Sequence, residues 1–309
     1  MLLRAAMTQT RNAFAPMPGS VEELTSLAAQ LDAIREANLD HHEELIRAAS
    51  AAGARVIGLG ELFPAPYFAL GRQELWRECA EDAREGPTVS RMRHLARELQ
   101  IVIVAPIYEL DARSGLRFNT AVVIDDDGRW LGRYRKTHIP MGTNERASFD
   151  ESFYYSSSNG QLDNTEANIS TNAFLPVFET SVGRLGVAIC YDRHFSSVIE
   201  ILSQQGAQLV FSPAVTFGKT SERMWELEFP VDCCRHRVFI GGSNREGAEA
   251  PWGVEFFGRS YFCGPSGKRP RLESRPELVI SDLDTSEVES AGDSGWDLKR
   301  DARPELRQT

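Results

Sequence analysis

The 309-residue sequence has no apolar run approaching the roughly 20 residues that a membrane-spanning helix needs. It has no excess of positive charge either: 34 Lys and Arg stand against 44 Asp and Glu, a formal net charge of -10. That balance argues against nucleic acid or an anionic membrane surface as a partner, because both select basic surface. The short basic run at 267–271 reads as a solvated turn. The five cysteines, Cys79, Cys190, Cys233, Cys234 and Cys263, are odd in number and form no C-x2-C pair, and no H-x3-H spacing accompanies them. A disulfide framework and a structural zinc are therefore not expected, and the simplest setting is the reducing cytoplasm. Met1-Leu-Leu-Arg-Ala-Ala lacks the long apolar stretch of a signal peptide and reads as a first strand. Gly264-Pro-Ser-Gly-Lys268 fails as a phosphate-binding loop at both ends, with Phe262 at the required first glycine and Arg269 at the required Ser/Thr; a hairpin turn is expected there. There is no internal repeat and no low-complexity linker. One domain over 1–284 is expected, followed by a charged, weakly patterned tail over 285–309.

What is present is an alternation of apolar, β-rich runs with helical stretches. Strands are expected at Leu3–Gln9, Arg55–Leu59, Ile101–Ile107, Phe118–Asp125 and Arg129–Lys136, the last two joined by the turn Asp126-Asp-Gly128. Further strands are expected at Phe174–Thr180, Arg184–Ile189, Leu209–Ser212, Val238–Ser243, Gly258–Cys263 and Glu277–Leu283. Ser20 resembles a helix cap, and a long Ala-rich helical region follows it, with a break expected near Asn38–Asp40. Helices are expected at Pro87–Leu99, Ser196–Gln205 and Glu222–Arg237, and an ordered loop over Thr137–Asn172. Strand–helix alternation mixed with hairpin signals implies an α/β protein with both parallel and antiparallel pairing.

Three residues stand where apolar strands give way to loops, the usual place for active-site groups in α/β proteins. Cys190 ends Leu185-Gly-Val-Ala-Ile-Cys190, Glu61 follows Val56-Ile-Gly-Leu-Gly60, and Lys136 closes Leu131-Gly-Arg-Tyr-Arg-Lys136. Each alone has an ordinary reading: a buried structural thiol, a helix-capping carboxylate, a basic residue on a solvated edge strand. In this chain order, however, the three resemble the Glu-Lys-Cys triad of the nitrilase superfamily. The surrounding words agree: Gly60-Glu-Leu-Phe63, Tyr134-Arg-Lys-Thr-His-Ile-Pro140 and Gly186-Val-Ala-Ile-Cys-Tyr-Asp-Arg193. Gly60 is a departure, standing where relatives often carry proline or glutamine; glycine there makes the backbone more permissive. A protease-like Cys–His pair with His138, His194 or His236 lacks a local signature around Cys190.

The resemblance implies a four-layer αββα sandwich and covalent chemistry without metal or organic cofactor. Free cysteine and glutamate have pKa values near 8.5 and about 4.3, a mismatch worth roughly 6 kcal/mol for proton transfer. Burial of the glutamate and a neighbouring ammonium can narrow it. By resemblance Glu61 is the base, Cys190 the nucleophile, and Lys136 the group that lowers the thiol pKa and stabilises the oxyanion, with the Tyr191 backbone N–H as second donor. A second glutamate near the lysine is Glu145 or Glu151; Phe149-Asp-Glu-Ser-Phe-Tyr-Tyr155 matches the segment that carries it in the N-carbamoyl amidohydrolase branch, so Glu151 is chosen. Arg193 matches the arginine that binds the substrate carboxylate in one part of that branch; its ordinary reading is an ion pair with Asp192 or Glu200. The expected activity is hydrolysis of an N-carbamoyl amino acid or amine, releasing amine, carbon dioxide and ammonia. Aliphatic amidase or nitrilase activity is the alternative, and a non-catalytic or thiol-sensing protein on the same fold is an alternative of another class. The partners implied are a small-molecule substrate and a second copy of the chain, as a homodimer or higher homo-oligomer that the tail helps to build.

Overall fold

A computed structural model describes residues 2–163, 165–272, 275–290, 295–298 and 300–303. The first sheet is built from β1 (Leu2–Thr8), β2 (Val56–Gly58), β3 (Val102–Leu110), β4 (Arg117–Ile124) and β5 (Trp130–Arg135). Two short strands, β6 (Met141–Thr143) and β7 (Ser148–Asp150), make a separate hairpin. The second sheet contains β8 (Val177–Thr180), β9 (Gly183–Val187), β10 (Leu209–Ala214) and β11 (Phe239–Asn244). A second hairpin, β12 (Glu246–Glu249) with β13 (Val254–Phe257), precedes β14 (Tyr261–Gly264), β15 (Gly267–Lys268) and β16 (Leu278–Asp284). The strand orders are β16-β1-β2-β3-β4-β5 and β15-β14-β11-β10-β9-β8. β1, β2 and β3 run parallel, as do β9, β10 and β11; the flanking strands are antiparallel.

Alternation along each strand sends successive side chains to opposite faces. In the first sheet Leu3, Ala5, Met7, Val56, Val104, Ala121 and Val123 meet Val187, Val210 and Phe211 of the second sheet in one core. The intervening Ala6, Ile57, Ile103, Val122 and Ile124 pack instead against Leu45, Ile46, Val89 and Met92 of α1 (Leu31–Ala51) and α2 (Pro87–Leu99). α3 (Ser196–Gln204) and α4 (Lys219–His236) cover the second sheet, where a Cβ on Gly242 would lie 2.3 Å from Phe229 of α4. The layers are thus α, β, β, α. The two sheets approach closely at Gly58, where a Cβ would stand 2.4 Å from the Phe211 ring.

Several expectations change. α1 runs unbroken through Asn38, because that buried side chain is satisfied locally: its Nδ2 donates to Ile34 O at 2.8 Å and its Oδ1 accepts Ala13 N–H at 2.9 Å. The first helical stretch after Ser20 is a 3-10 helix, Val21–Ala29, to which the Ser20 side chain gives no cap bond. The region 137–172 contains the β6–β7 hairpin, and 245–257 holds the β12–β13 hairpin. The basic strand β5 is an edge strand, as its charge suggested, yet Arg135 and the adjoining Lys136 are buried. Gly264 pairs with Gly267 in a hairpin turn. Of the tail, 291–294, 299 and 304–309 lie outside the described residues, so the oligomer contact expected from it falls partly outside them. Among the described residues no helix is long and apolar enough to cross a membrane.

Candidate active site

Four strand ends and one turn converge beyond the carboxyl ends of the parallel strands. Glu61 follows β2, Lys136 follows β5, Cys190 follows β9, Val215 follows β10, and Glu151 opens the 3-10 turn after β7. Glu61 is fully buried and its carboxylate is held from three sides. Its Oε1 accepts Asn119 Nδ2 of β4 at 2.7 Å and Lys136 Nζ at 2.9 Å; its Oε2 accepts the Val215 N–H at 2.7 Å. The backbone demand falls two residues later than the sequence suggested. Gly60 has an ordinary φ and room for a Cβ, whereas Leu62 is left-handed at φ 50°.

Lys136 sits between two carboxylates, with Nζ also 2.6 Å from Glu151 Oε2. Burial pushes its pKa down, but Glu151 and Glu61 outweigh burial and the net shift is upward, so it remains an ammonium. Glu151 is pushed up by burial, with Lys136 opposing. Its Oε1 accepts the Tyr67 hydroxyl at 3.0 Å. Asp150, the cap of this turn, accepts Phe153 N–H at 3.2 Å and pairs with Arg72. Glu145 lies on the exposed hairpin and accepts the Lys219 N–H at 2.6 Å; of the two candidate glutamates, Glu151 is the one that touches Lys136.

Cys190 begins a 3-10 turn, Cys190–His194, in the left-handed region at φ 50°. Such a conformation in a residue with a side chain costs on the order of 1–3 kcal/mol and is retained where surroundings enforce it. Asp192 enforces it here. Its Oδ2 accepts the Ile189 N–H (3.0 Å) and Tyr134 hydroxyl (2.5 Å), and its Oδ1 accepts the His138 N–H (2.9 Å) and Thr137 hydroxyl (3.0 Å). The loop after Lys136 is thereby tied to the loop bearing the thiol. Cys190 Sγ donates to Val215 O at 3.6 Å, so one peptide unit's neighbourhood serves both groups: Val215 N–H on Glu61, Val215 C=O on the thiol. Burial, then Glu61, push the Cys190 pKa up to about 12, and Lys136 and Arg193 only partly oppose this. The expected depression by Lys136 is real in direction but overridden, chiefly by burial and then by Glu61. At neutral pH Cys190 is a neutral thiol.

Arg193 is 2% exposed and heavily engaged. Its Nη1 donates to Cys190 O at 2.7 Å, its Nη2 to Thr216 Oγ1 at 3.2 Å, and its Nε stands 3.3 Å from Glu228 Oε2. Its acidic partner is therefore Glu228 of α4, rather than Asp192 or Glu200. Tyr191 is partly exposed, its ring edge-on to His194 and Phe195. His138 bonds Asp192 and His194 bonds Glu228 through their Nδ1 atoms. A cavity of about 90 Å³ opens onto Cys190 and Glu151, walled by Tyr67, Phe149, Tyr191, Arg193, Thr216 and Phe217 among others. Asn119, Val215 and Asp192 are contributors that sequence reasoning missed. Asn119 carried a signal, as a lone amide inside the apolar strand β4; Val215 acts through its backbone and carried none.

The carbon-nitrogen hydrolase family model matches residues 26–293. A beta-ureidopropionase of Arabidopsis thaliana is 32% identical over 86% of this chain; the match spans 65% of that relative's own length, a little under two thirds. An N-carbamoylputrescine amidase of Arabidopsis thaliana is 31% identical over 87% of this chain and 88% of its own. The crystal structure of a carbon-nitrogen hydrolase from Helicobacter pylori G27 superposes with a TM-score of 0.77 at 22% identity, covering 99% of this chain and 97% of that one. By both sequence and fold, the chain belongs to the carbon-nitrogen hydrolases of the nitrilase superfamily.

Proposed function

We propose that this chain is a cysteine-dependent amidohydrolase of N-carbamoyl compounds. The observation that carries the mechanism is the shared Val215 backbone, which brings the Glu61 carboxylate and Cys190 thiol to one point while Lys136 neutralises Glu61 from the other side. A thiol with a pKa near 12 is a poor nucleophile until its proton leaves, so transfer to Glu61 accompanies attack. Sγ bonds to the ureido carbon, and the carbonyl oxygen becomes an oxyanion. Lys136 has three N–H donors, two of them on Glu61 and Glu151; the third and the Tyr191 backbone N–H receive the oxyanion. Protonated Glu61 returns its proton to the departing amine. A water deprotonated by Glu61 then attacks the S-carbamoyl thioester, restoring the thiol and releasing carbamic acid, which falls apart to carbon dioxide and ammonia. Glu151 holds Lys136 in place.

The substrate's far end is read by Arg193 in this proposal, through donors left over from Cys190 O and Thr216, and the substrate is an N-carbamoyl amino acid of the N-carbamoyl-β-alanine type. A second reading has its own support: Glu228 offsets the Arg193 charge, which suits an N-carbamoyl amine. The acids that an amine would seek at the mouth, Glu145 and Asp150, are already bonded to Lys219 N–H and Arg72. The test compares turnover of N-carbamoyl-β-alanine, N-carbamoylputrescine, matched amides and nitriles. Arg193→Ala is expected to weaken only the acid substrate, by about 1.5–3 kcal/mol; an equal loss on both assigns Arg193 to holding Cys190 O. We place the enzyme in the cytoplasm as a homodimer or larger homo-oligomer. Five free cysteines support the first and the exposed pair Leu227 and Val231 on α4 the second. Sedimentation of the wild type against Leu227→Asp checks the assembly.

A further inference from the structure

Arg245 and Glu249 form a buried ion pair outside the cavity, 4% and 3% exposed. They flank and end β12, far in sequence from any reacting group. Arg245 Nη1 is bonded to Glu249 Oε1, and its Nη2 turns to the segment after β2, facing three backbone carbonyls: Glu61 O at 3.1 Å, Leu62 O at 3.1 Å and Ala65 O at 2.8 Å. Glu249 takes the next stretch of the same segment, with Oε2 accepting the Tyr67 N–H at 2.8 Å, while its Oε1 accepts the Asn12 N–H at 2.7 Å.

The segment so gripped is unusual in what it carries. Glu61 at its start bonds Lys136 and the Val215 N–H; Tyr67 at its end donates its hydroxyl to Glu151, the other carboxylate on Lys136. Between them Leu62 is held left-handed, a conformation that its own side chain does not favour. A buried ion pair is weak evidence for stability, since desolvation offsets much of its attraction. Its geometry here does something a hydrophobic pair of equal volume could not. A planar guanidinium supplies donors to the Glu61 and Ala65 carbonyls and shares Leu62 O with the Ala65 N–H, which stands 3.1 Å from it.

We infer that Arg245 and Glu249 are a positioning pair for the reaction, fixing the Glu61 carboxylate against Cys190 and the Tyr67 hydroxyl against Glu151 through the backbone of 61–67. The inference rests on the reading of Glu61 as the base. Misplacement of a reacting group by about 1 Å can cost on the order of 10²-fold in rate, so loosening this loop acts chiefly on kcat, while of the cavity's walls only Tyr67 rides on the loop.

Arg245→Lys keeps the charge opposite Glu249 and loses the fork; Glu249→Gln keeps the shape and loses the charge. Each is measured at a temperature well below its own unfolding transition, by steady-state kinetics on the substrate the wild type prefers and by hydrogen exchange of the amides in 61–67. The expected result is a kcat about tenfold or more lower, KM changed less than about threefold, and faster exchange confined to 61–67. Should Arg245→Lys not fold, Glu249→Gln carries the measurement. A kcat within about twofold of wild type in a folded variant, or exchange over 61–67 that stays at the wild-type rate, overturns the proposal and leaves a pair that only adds stability. The two arms separate the readings: a wild type that turns over no carbon–nitrogen substrate defeats the assignment of Glu61, and exchange alone then decides whether the pair grips the loop.

Discussion

Arg135 and Lys136 are consecutive residues, yet they serve two charge clusters of different surroundings. Arg135 faces Glu109 of β3, donating through Nε to Oε2 (2.9 Å) and through Nη2 to Oε1 (2.5 Å); Arg133 Nη1 reaches the same Oε1 at 2.6 Å, and the Thr120 hydroxyl fills Oε2 at 2.5 Å. The Arg135 head also lies 3.9 Å from the centre of the Phe118 ring. In that cluster two arginines share Glu109, with Asp163 3.4 Å from Arg133 and Asp111 3.5 Å from Arg135, planar forks and filled acceptors. The Lys136 cluster has two carboxylates on one ammonium, a donor in hand, and a cavity at Glu151. Buried charge alone therefore does not mark the chemistry. What sets the Lys136 cluster apart is a thiol that burial, and then Glu61, keep protonated, with a carboxylate beside it and a cavity at its edge. None of the residues of the Glu109 cluster lines that cavity.

The sharpest test of this contrast removes the proposed nucleophile. Cys190→Ala is expected to abolish turnover to the uncatalysed background and to retain wild-type circular dichroism, while iodoacetamide labels Cys190 in the wild type on peptide mapping. Substantial activity in Cys190→Ala would move the chemistry elsewhere.

Next come the two neighbouring cations. Lys136→Arg is expected to lose on the order of 10²-fold or more in kcat, because a planar head cannot take the point-charge position between Glu61 and Glu151. Arg135→Lys should leave kcat within about twofold and lower stability by about 1.5–3 kcal/mol for its lost charged hydrogen bonds. Kinetics and urea unfolding on both variants decide, and an equal kcat loss in the two would erase the distinction between the clusters. The carboxylates give a milder version. Glu151→Gln is expected to lower kcat roughly tenfold, with the Lys136 geometry relaxed. Glu109→Gln removes the carboxylate shared by Arg133 and the buried Arg135, leaving Asp163 and Asp111 at longer range, and should cost about 3–5 kcal/mol of stability, with kcat unchanged in the folded enzyme.

Much of this contrast was invisible in the linear sequence, for physical reasons. Cys190, Glu61 and Lys136 were legible because each ends an apolar strand in a recognisable word. Arg133, Arg135 and Lys136 read alike as bases on an edge strand. What buries Lys136 and Arg135 is the segment after it, where Ser158 N–H caps Lys136 O at 2.9 Å and Asn159 Oδ1 accepts Arg135 Nη1 at 2.9 Å. The sandwich followed from the alternation in β1 to β4 together with the family resemblance, while the β6–β7 hairpin escaped notice because three residues per strand carry too little alternation to register. Arg245 and Glu249 escaped because their partners are backbone groups some 180 positions away.

The smallest expected effect is a pH dependence of stability that belongs to one cluster only. Folding raises the Cys190 pKa from 9.0 to about 12, mainly by burial and then by Glu61. Between those values the folded chain keeps a proton that the unfolded chain has released, so stability falls as pH rises. The contribution is complete below about pH 9 and lost as pH passes through about 12, with a ceiling on the order of 4 kcal/mol. Other groups titrate in that window, Tyr67 and Tyr155 among them, and their pKa values are also raised by burial. The difference between wild type and Cys190→Ala isolates the thiol's share. Urea unfolding at pH 8, about 9.5 and about 10.5 should show that difference shrinking as pH rises, the wild type losing stability faster than the alanine variant. The arginines of the Glu109 cluster stay charged throughout, so Arg135→Lys should shift the wild-type curve at pH 8 and about 9.5 by a constant amount. A wild-type curve parallel to that of Cys190→Ala across the whole range would mean that the thiol is as easily ionised in the fold as in the open chain. In that case the proton need not move to Glu61 during attack, and the burial of the thiol beside Glu61 loses its chemical meaning.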